Sequence, residues 1–416
     1  MKCSHHRRWT KRSGSALIVA VLFMLVLGGM AASLVAMNGA FHKEHQRSRE
    51  ATLSFYLAES GINEAYASLV TVGDTATKTM TYPRTLGQGT YSVEQLYGQD
   101  DDTVIRLDRV RLRSVGDGGE GPVGVELMTW KVPTGSFRWG IFGDEWVDID
   151  ANSMVDSYNS NDGPYPDDVE YVNDFGNVGS NGSVNIDSNS QIYGEAMVGP
   201  TGTLEDDDPG VVVAGETGIL STPELYPAIV VPTIASTGPL IVNGAMTLPA
   251  GDRHYSSMTV NGGGTLTVQG PSRLVLDAAV IKSNSTWIID ATNGPVEIYA
   301  TGTFDLRSNS TLTSIAQHAR DVSLNITSSN LTPPAATIEF NSNASFIGTI
   351  YAPDALVSLA SNFGLYGAVK AQQVRINSNS NLHFDEDLLY DPNVPQIYER
   401  LAWRPLSMAE VTALGF

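Results

Sequence analysis

SNASFIGTIYAPDALVSLA, residues 342–360, runs directly into SNFGLYGAVKAQQVRINS, residues 361–378, and the second stretch repeats the first. Gly348 and Gly367 are 19 residues apart, as are Ala352 and Ala371. Self-similarity at a fixed period marks a repeat architecture. A unit of roughly 17–20 residues with three short strands suits one coil of a right-handed parallel β-helix, a solenoid. Stacking one unit on the next sets Phe346, Ile350, Leu356, Val357 and Leu359 over Leu365 or Tyr366, Val369, Val374 and Ile376. Asn tolerates the left-handed backbone that a sharp corner needs. Stacked Asn side chains are also expected to hydrogen-bond from coil to coil.

Working outward, Ser-Asn-Ser stands at 188–190, 283–285, 308–310 and 378–380, and an earlier relative of the repeat, SNSQIYGEAMV, lies at 188–198. Helical periodicity is absent from about Phe137 onward. The β-helix-like domain is therefore read as residues 137–390, with an insertion near 201–250, where Glu205–Asp208 and several prolines break the pattern. Residues 391–416 read as a capping tail with a short helix, Ser407–Leu414, opened by Ser407 and Glu410 at capping-box spacing.

The other end is different. Residues 15–37, SALIVAVLFMLVLGGMAASLVAM, carry no charge and are long enough to cross about 30 Å of hydrocarbon as a helix. The basic stretch 1–14 before it, with Lys2, Arg7, Arg8, Lys11 and Arg12, places the N-terminus in the cytoplasm and the bulk of the chain outside. Gly28-Gly29 at the helix centre permits close helix approach. Beyond the span, Ala51, Phe55, Ala58, Ile62, Ala65 and Leu69 form one helical stripe, so a nearly continuous helix is expected over 15–72, about 85 Å long. Residues 75–135 read as a small antiparallel unit. Its strands fall at Thr90–Tyr97, Thr103–Ser114 and Val125–Val132, with a Gly-rich loop at Gly116–Gly124. The fold class is mainly β, led by one long transmembrane helix.

The pair RSGSALIVAVLFMLVLGG and SREATLSFYLAESGINEAYASL resembles the N-terminal region of PilX-type minor pilins and related pilus-assembly proteins. The resemblance implies a leader that ends in Gly14 and is cut before Ser15 by a prepilin peptidase. It also implies partnership with other pilin-like subunits through the N-terminal helix. Ala51, Ala58, Glu59, Ser60, Gly61 and Ala65 fall on the family's later A-E-S-G pattern. Major pilins carry Glu at the fifth mature position; here it is Val19, which points to an accessory subunit. VDSYNSNDGPY at 155–165, HFDEDLLY at 383–390 and Trp403 resemble a C-terminal domain found on PilX-like proteins, which names no activity.

Net charge is −20, which opposes nucleic acid and anionic lipid as partners. The single cysteine, Cys3, leaves the exported part without a disulfide. Beyond the membrane-proximal helix the histidines are His254, His318 and His383, none at metal or triad spacing, and no catalytic motif is present. Asp144, Glu145, Asp148, Asp150 and Asp156 precede an oxygen-rich loop. Asp156, Asn159, Asn161 and Asp162 are weak Ca²⁺ candidates, against the alternative of a plain Asx-turn corner. A glycan-active β-helix would need paired groups, for which Lys370, Arg375 and Asp354 are available. Tyr193, Tyr351 and Tyr366 could stack on a surface glycan, but are expected to stack inside the wall.

The expectation is a non-enzymatic accessory subunit of a type IV-type pilus, without a cofactor, single-pass in the inner membrane with its C-terminal domain periplasmic or extracellular. The alternatives are a surface adhesin and a membrane-tethered polysaccharide-active enzyme.

Overall fold

The structure, a computed structural model, describes residues 14–73, 83–97, 109–119, 121–166, 173–206, 208–307, 309–327, 337–341 and 344–414. The chain divides into two units, Met1–Val132 with Gln396–Phe416, and Pro133–Pro395. The leader up to residue 13 and the expected strand segment 103–108 lie outside the described residues.

In the first unit, helix α1 runs unbroken over Gly14–Val72, and the Gly73 amide closes it on the Leu69 carbonyl at 2.9 Å. Between Leu17 and Phe41 its apolar side chains are exposed, and this stretch is long and apolar enough to cross a membrane. A Cβ at Gly28 or Gly29 would meet nothing within 4 Å. From Ser54 onward one face is sealed. Leu57, Ala58, Ile62, Ala65 and Leu69 are buried, whereas Ala51 stays exposed and Phe55 is half-buried.

The sealing surface is an antiparallel sheet of β1 (Arg84–Leu86), β2 (Gly89–Tyr97), β3 (Arg109–Asp117) and β4 (Pro122–Val132). β3 and β4 shorten the expected Gly-rich loop to the few residues between Asp117 and Pro122. Helix and sheet approach so closely at Gly61 that a Cβ there would lie 2.3 Å from Ser114 Oγ and 2.7 Å from Tyr91 Cδ2. The expected capping tail is corrected here. Strand Ile397–Pro405 pairs antiparallel with β4, Trp403 opposite Leu127, and completes this sheet as its fifth strand. The helix after it, α2 (Met408–Ala413), has the full capping box of Ser407 and Glu410 and buries Val411 with Val115 and Leu406. The tail's apolar residues and its strand hydrogen bonds are thus used within the α1 unit.

Among the described residues of Pro133–Pro395 every pairing between named strands is parallel, and one isolated antiparallel bridge joins Ser157 and Asn173. Ser345–Leu359 lies on Gly364–Ile376 with Gly348 opposite Gly367 and Ala352 opposite Ala371, the register of the sequence repeat. The repeated glycine has a steric reason: a Cβ on Gly367 would sit 2.1 Å from the Gly348 carbonyl oxygen. Phe346 meets Leu365, while Tyr366 meets Ile347.

One apolar ladder, neighbours in register, runs through Ile298, Leu324, Ile350, Val369, Ile141, Val178 and Ala196, all fully buried. Its order departs from chain order. The late strand Gly364–Ile376 pairs with the first strand of the unit, β5 (Ile141–Ile149), and Asn381–Asp385 pairs with β6 (Met154–Tyr158). A separate four-stranded parallel sheet joins Ala245–Leu248, Thr265–Gln269, Thr286–Asp290 and Thr311–Ile315.

The insertion expected near 201–250 is smaller. Leu204–Glu205, Val212–Val213 and Thr217–Ile219 pair in parallel with the strands before them, and Pro239–Val242 pairs with Ser257–Val260. The longest stretch there outside named strands is the crossing stretch 220–238.

Every non-glycine residue of positive φ among those described is an asparagine: Asn152, Asn189, Asn284, Asn309, Asn362 and Asn379, with φ of 58° to 61°. Five of the six precede a buried serine, Ser153, Ser190, Ser285, Ser310 or Ser380. The serines link neighbouring segments there through their side chains, and the turn asparagines through their main chain, the Asn152 amide donating to the Ser188 carbonyl at 3.0 Å and the Asn379 amide to the Ala151 carbonyl at 3.1 Å. Ser380 Oγ donates to the Ala360 carbonyl at 2.9 Å and accepts from the Phe363 amide at 3.2 Å, and Ser190 Oγ donates to the Asp150 carbonyl at 3.1 Å. In the left-handed conformation Asn turns the corner, and the next residue points inward, where a hydroxyl finds main-chain partners.

Candidate functional site

The stretches VDSYNSNDGPY (155–165) and HFDEDLLY (383–390) are far apart in sequence and meet in space, because β6 and Asn381–Asp385 are parallel neighbours with His383 opposite Asp156. Asp156 is fully buried. Its Oδ1 lies 2.6 Å from His383 Nδ1, and its Oδ2 accepts from the Tyr165 hydroxyl at 2.7 Å. The rings of Tyr165 and Tyr366 lie against the imidazole, with centroids 3.8 and 4.8 Å away.

One residue on, Ser157 donates to Glu386 Oε1 at 2.6 Å and accepts from the Phe175 amide at 2.8 Å. Asn173 Nδ2 donates to the same Oε1 at 2.9 Å, and the Ser157 and Asn173 main chains exchange hydrogen bonds both ways. Glu386 Oε2 is buried and has no hydrogen-bond partner. Burial raises this carboxyl to about 7. The hydrogen bonds from Ser157 and Asn173 oppose the rise, and the charges of Asp174 and Asp385 add to it.

Next in the same direction, Asp385 accepts from the amides of Ser160, Asp387 and Ala319. Ser160 Oγ lies 2.8 Å from His318 Nδ1, and Asp387, which pairs with Arg320, is 3.9 Å from that same nitrogen. A Ser-His-Asp relay needs hydroxyl and carboxylate on opposite ring nitrogens; here both face Nδ1. Ser160 is itself buried, so the arrangement supplies no nucleophile to solvent.

The Ca²⁺ candidates are not brought to one point. Asp156 is turned to His383 and Tyr165, Asn159 Oδ1 accepts from Asn161, Asn161 Nδ2 donates to Asp387 at 2.6 Å, and the Asp162 amide closes a turn on the Asn159 carbonyl. Among the described residues no three His, Cys, Asp or Glu side chains are arranged to hold a metal. The loop is an Asx-turn corner.

Lys370 and Arg375 do not pair as a catalytic couple. Lys370 donates to the Leu225 carbonyl at 2.7 Å beside Glu224, and burial pulls its ammonium below the usual range despite that carboxylate. Arg375 binds Asp148 and lies over the Trp146 ring.

Of the three tyrosines expected inside the wall, Tyr193 is half-buried with its hydroxyl on Gln191, Tyr366 packs on Tyr165 and His383, and the reading of Tyr351 is corrected. Tyr351 alternates with the buried Ile350 and Ala352, so it faces outward, and its hydroxyl donates to the Pro227 carbonyl at 2.6 Å. Tyr226 stacks on it at 6.2 Å and donates to the Ala371 carbonyl. The crossing stretch is thereby fixed over a cleft of about 470 Å³, lined among others by Phe137, Ile229, Val230, Tyr299, Asn325 and Tyr351.

Of the candidates, Ala58 and Ile62 pack within the α1 unit, Gly28 and Gly29 face open space, and Gly14 opens α1; the side chain of Ser15 and leader residues 1–13 lie outside the described residues. Sequence reasoning missed Tyr165, Ser157 and Glu386. The two acidic phrases were visible, but nothing in either marks them as spatial neighbours.

Residues 230–390 match the sequence profile of a domain of unknown function, DUF7305. No curated protein matches the chain. Among solved structures, the competence-associated pilin ComZ from Thermus thermophilus is similar at 12% identity, over 86% of this chain and 97% of that one, with a TM-score of 0.34. An ice-binding protein from the Antarctic ascomycete Antarctomyces psychrotrophicus is similar at 10% identity, over 59% of this chain and 94% of that one, TM-score 0.27. Another, from an Antarctic biological consortium, is similar at 14%, over 61% and 92%, TM-score 0.29.

Proposed function

We propose that the chain is a structural, accessory pilin-like subunit of a type IV-type pilus or related assembly, anchored through α1 and displaying a right-handed parallel β-helix outside the inner membrane. The carrying observation is α1 itself: one helix whose first part is apolar and bare while its later part is sealed by an antiparallel sheet. A bare apolar helix surface has two stable destinations, the bilayer and the helices of like subunits. Prepilin peptidase and other pilin-like chains are its partners, and no cofactor enters. The β-helix reading rests on the parallel registers and the asparagine corners, and its handedness on the rule for parallel crossovers. The role is assembly and display, not catalysis; the histidines and acids of the 155–165 and 383–390 stretches are engaged with one another.

N-terminal sequencing of the membrane-extracted protein is expected to begin at Ser15, and Gly14→Glu to accumulate precursor. An intact Met1 in mature protein removes the pilin reading. A second reading, a surface-binding module, is favoured by the cleft at Tyr299 and Tyr351, whose volume lies in the range of small-ligand sites.

A further inference from the structure

Glu386 sits where three pieces of chain meet: its own 3-10 turn Glu386–Leu389, strand β6 through Ser157, and the stretch beginning at Asn173. It is 3% exposed, and Oε1 takes both hydrogen bonds while Oε2 has none. That asymmetry suits a neutral carboxyl. An ionised one spreads its charge over both oxygens and calls for donors on each. The charged groups nearby do not supply them. Asp156 on β6 is paired with His383, and Asp385 is saturated by main-chain amides. Arg320 and His318 face Asp387 and Ser160, Tyr165 is bound to Asp156, and Asp174 adds negative charge from the other side. Among the described residues no Lys or Arg pairs with Glu386.

We infer that Glu386 is a pH-responsive fastener: uncharged, it holds Asn173–Phe175 against β6, and on ionising it releases them. The inference is independent of the pilin reading and concerns only this corner of Pro133–Pro395. The sign follows from linkage. A carboxyl raised in the folded state contributes stability that is full at acid pH, below its unfolded value, and lost as pH rises through about 7.

The test is hydrogen–deuterium exchange on the full chain in detergent, reading peptides over 155–166 and 173–177 and correcting for the intrinsic pH dependence of exchange. Wild-type protection should be full below about pH 4.5, fall by up to about tenfold per pH unit from there to about 7, where the released form has lost a proton that the tight form keeps, and level off above about 7. Glu386→Gln, a permanently neutral side chain of the same shape, should stay protected to about pH 8.5. His383→Gln should keep the wild-type fall. Ser157→Ala removes a hydrogen bond that favours the charged form, so its midpoint should move to higher pH. Wild-type protection that does not change with pH overturns the proposal, as does a fall that persists in Glu386→Gln. So do a fall that vanishes only in His383→Gln, and a Ser157→Ala midpoint that stays or drops.

Discussion

In the α1 unit, Ala58, Ile62 and Leu69 are covered by residues of β3, β4 and the C-terminal strand, so burial there joins the start, middle and end of the chain. In Pro133–Pro395 a buried residue such as Ile350 is covered above and below by its register partners Leu324 and Val369. The first arrangement is one small core that stands or falls together. The second is a row of near-identical contacts, each answering mainly to its neighbours, as in repeat proteins whose stability is a sum of unit and interface contributions. The same apolar chemistry should thus give concerted behaviour in one unit and graded behaviour in the other.

The sharpest way to break the comparison is a matched pair of core truncations. Trp287→Ala should cost about 3–5 kcal/mol and Leu112→Ala about 2–5 kcal/mol, transfer and cavity contributions together. Hydrogen exchange should then separate them. Trp287→Ala should loosen chiefly Thr265–Gln269 and Thr311–Ile315, its register neighbours, while Leu112→Ala should loosen α1 from Ser54 on together with all five strands. Equal spread in both variants would dissolve the distinction.

A smaller effect probes the helix–sheet approach. Gly61→Val should destabilise the α1 unit by about 1–3 kcal/mol through overpacking, measured as a lower denaturant midpoint, with no change in the exchange of Pro133–Pro395. The smallest probes a single corner. Asn284→Ala should cost about 1–2 kcal/mol for the left-handed backbone, whereas Asn284→Gly should stay within a few tenths of the wild type. A loss confined to Ser257–Val260, Thr286–Asp290 and their neighbours would sharpen the picture of a graded row.

These differences also explain what could be read beforehand. The helix from 15 to 72, the 348/367 register and the left-handed asparagines are local or periodic features, each carried by residue type at fixed spacing. A lone strand carries no signal of its partner, so Ile397–Pro405 reads as a cap from sequence. The pairing of Val369 with Ile141 was invisible for the same reason: the two strands share only generic β chemistry. The repeat fixes the phase of Tyr351 and Tyr366 relative to Gly348 and Gly367 but not the face they occupy, so the sequence does not tell wall from surface. In the candidate site the acids were legible one at a time. Their engagement depended on which strand became the neighbour of β6.

The pairing of the unit's first strand with one of its last has a consequence for biosynthesis. A ribosome delivers Ile141 long before Val369, and through that interval β5 and β6 have an open edge on one side. An open edge of parallel strand accepts any compatible backbone, including that of another nascent chain. The arrival of Gly364–Ile376 and Asn381–Asp385 therefore acts as a completion step: only a chain translated through Asp385 can seal the gap in the middle of its own array. A chain cut short before that point presents a sticky edge at its centre.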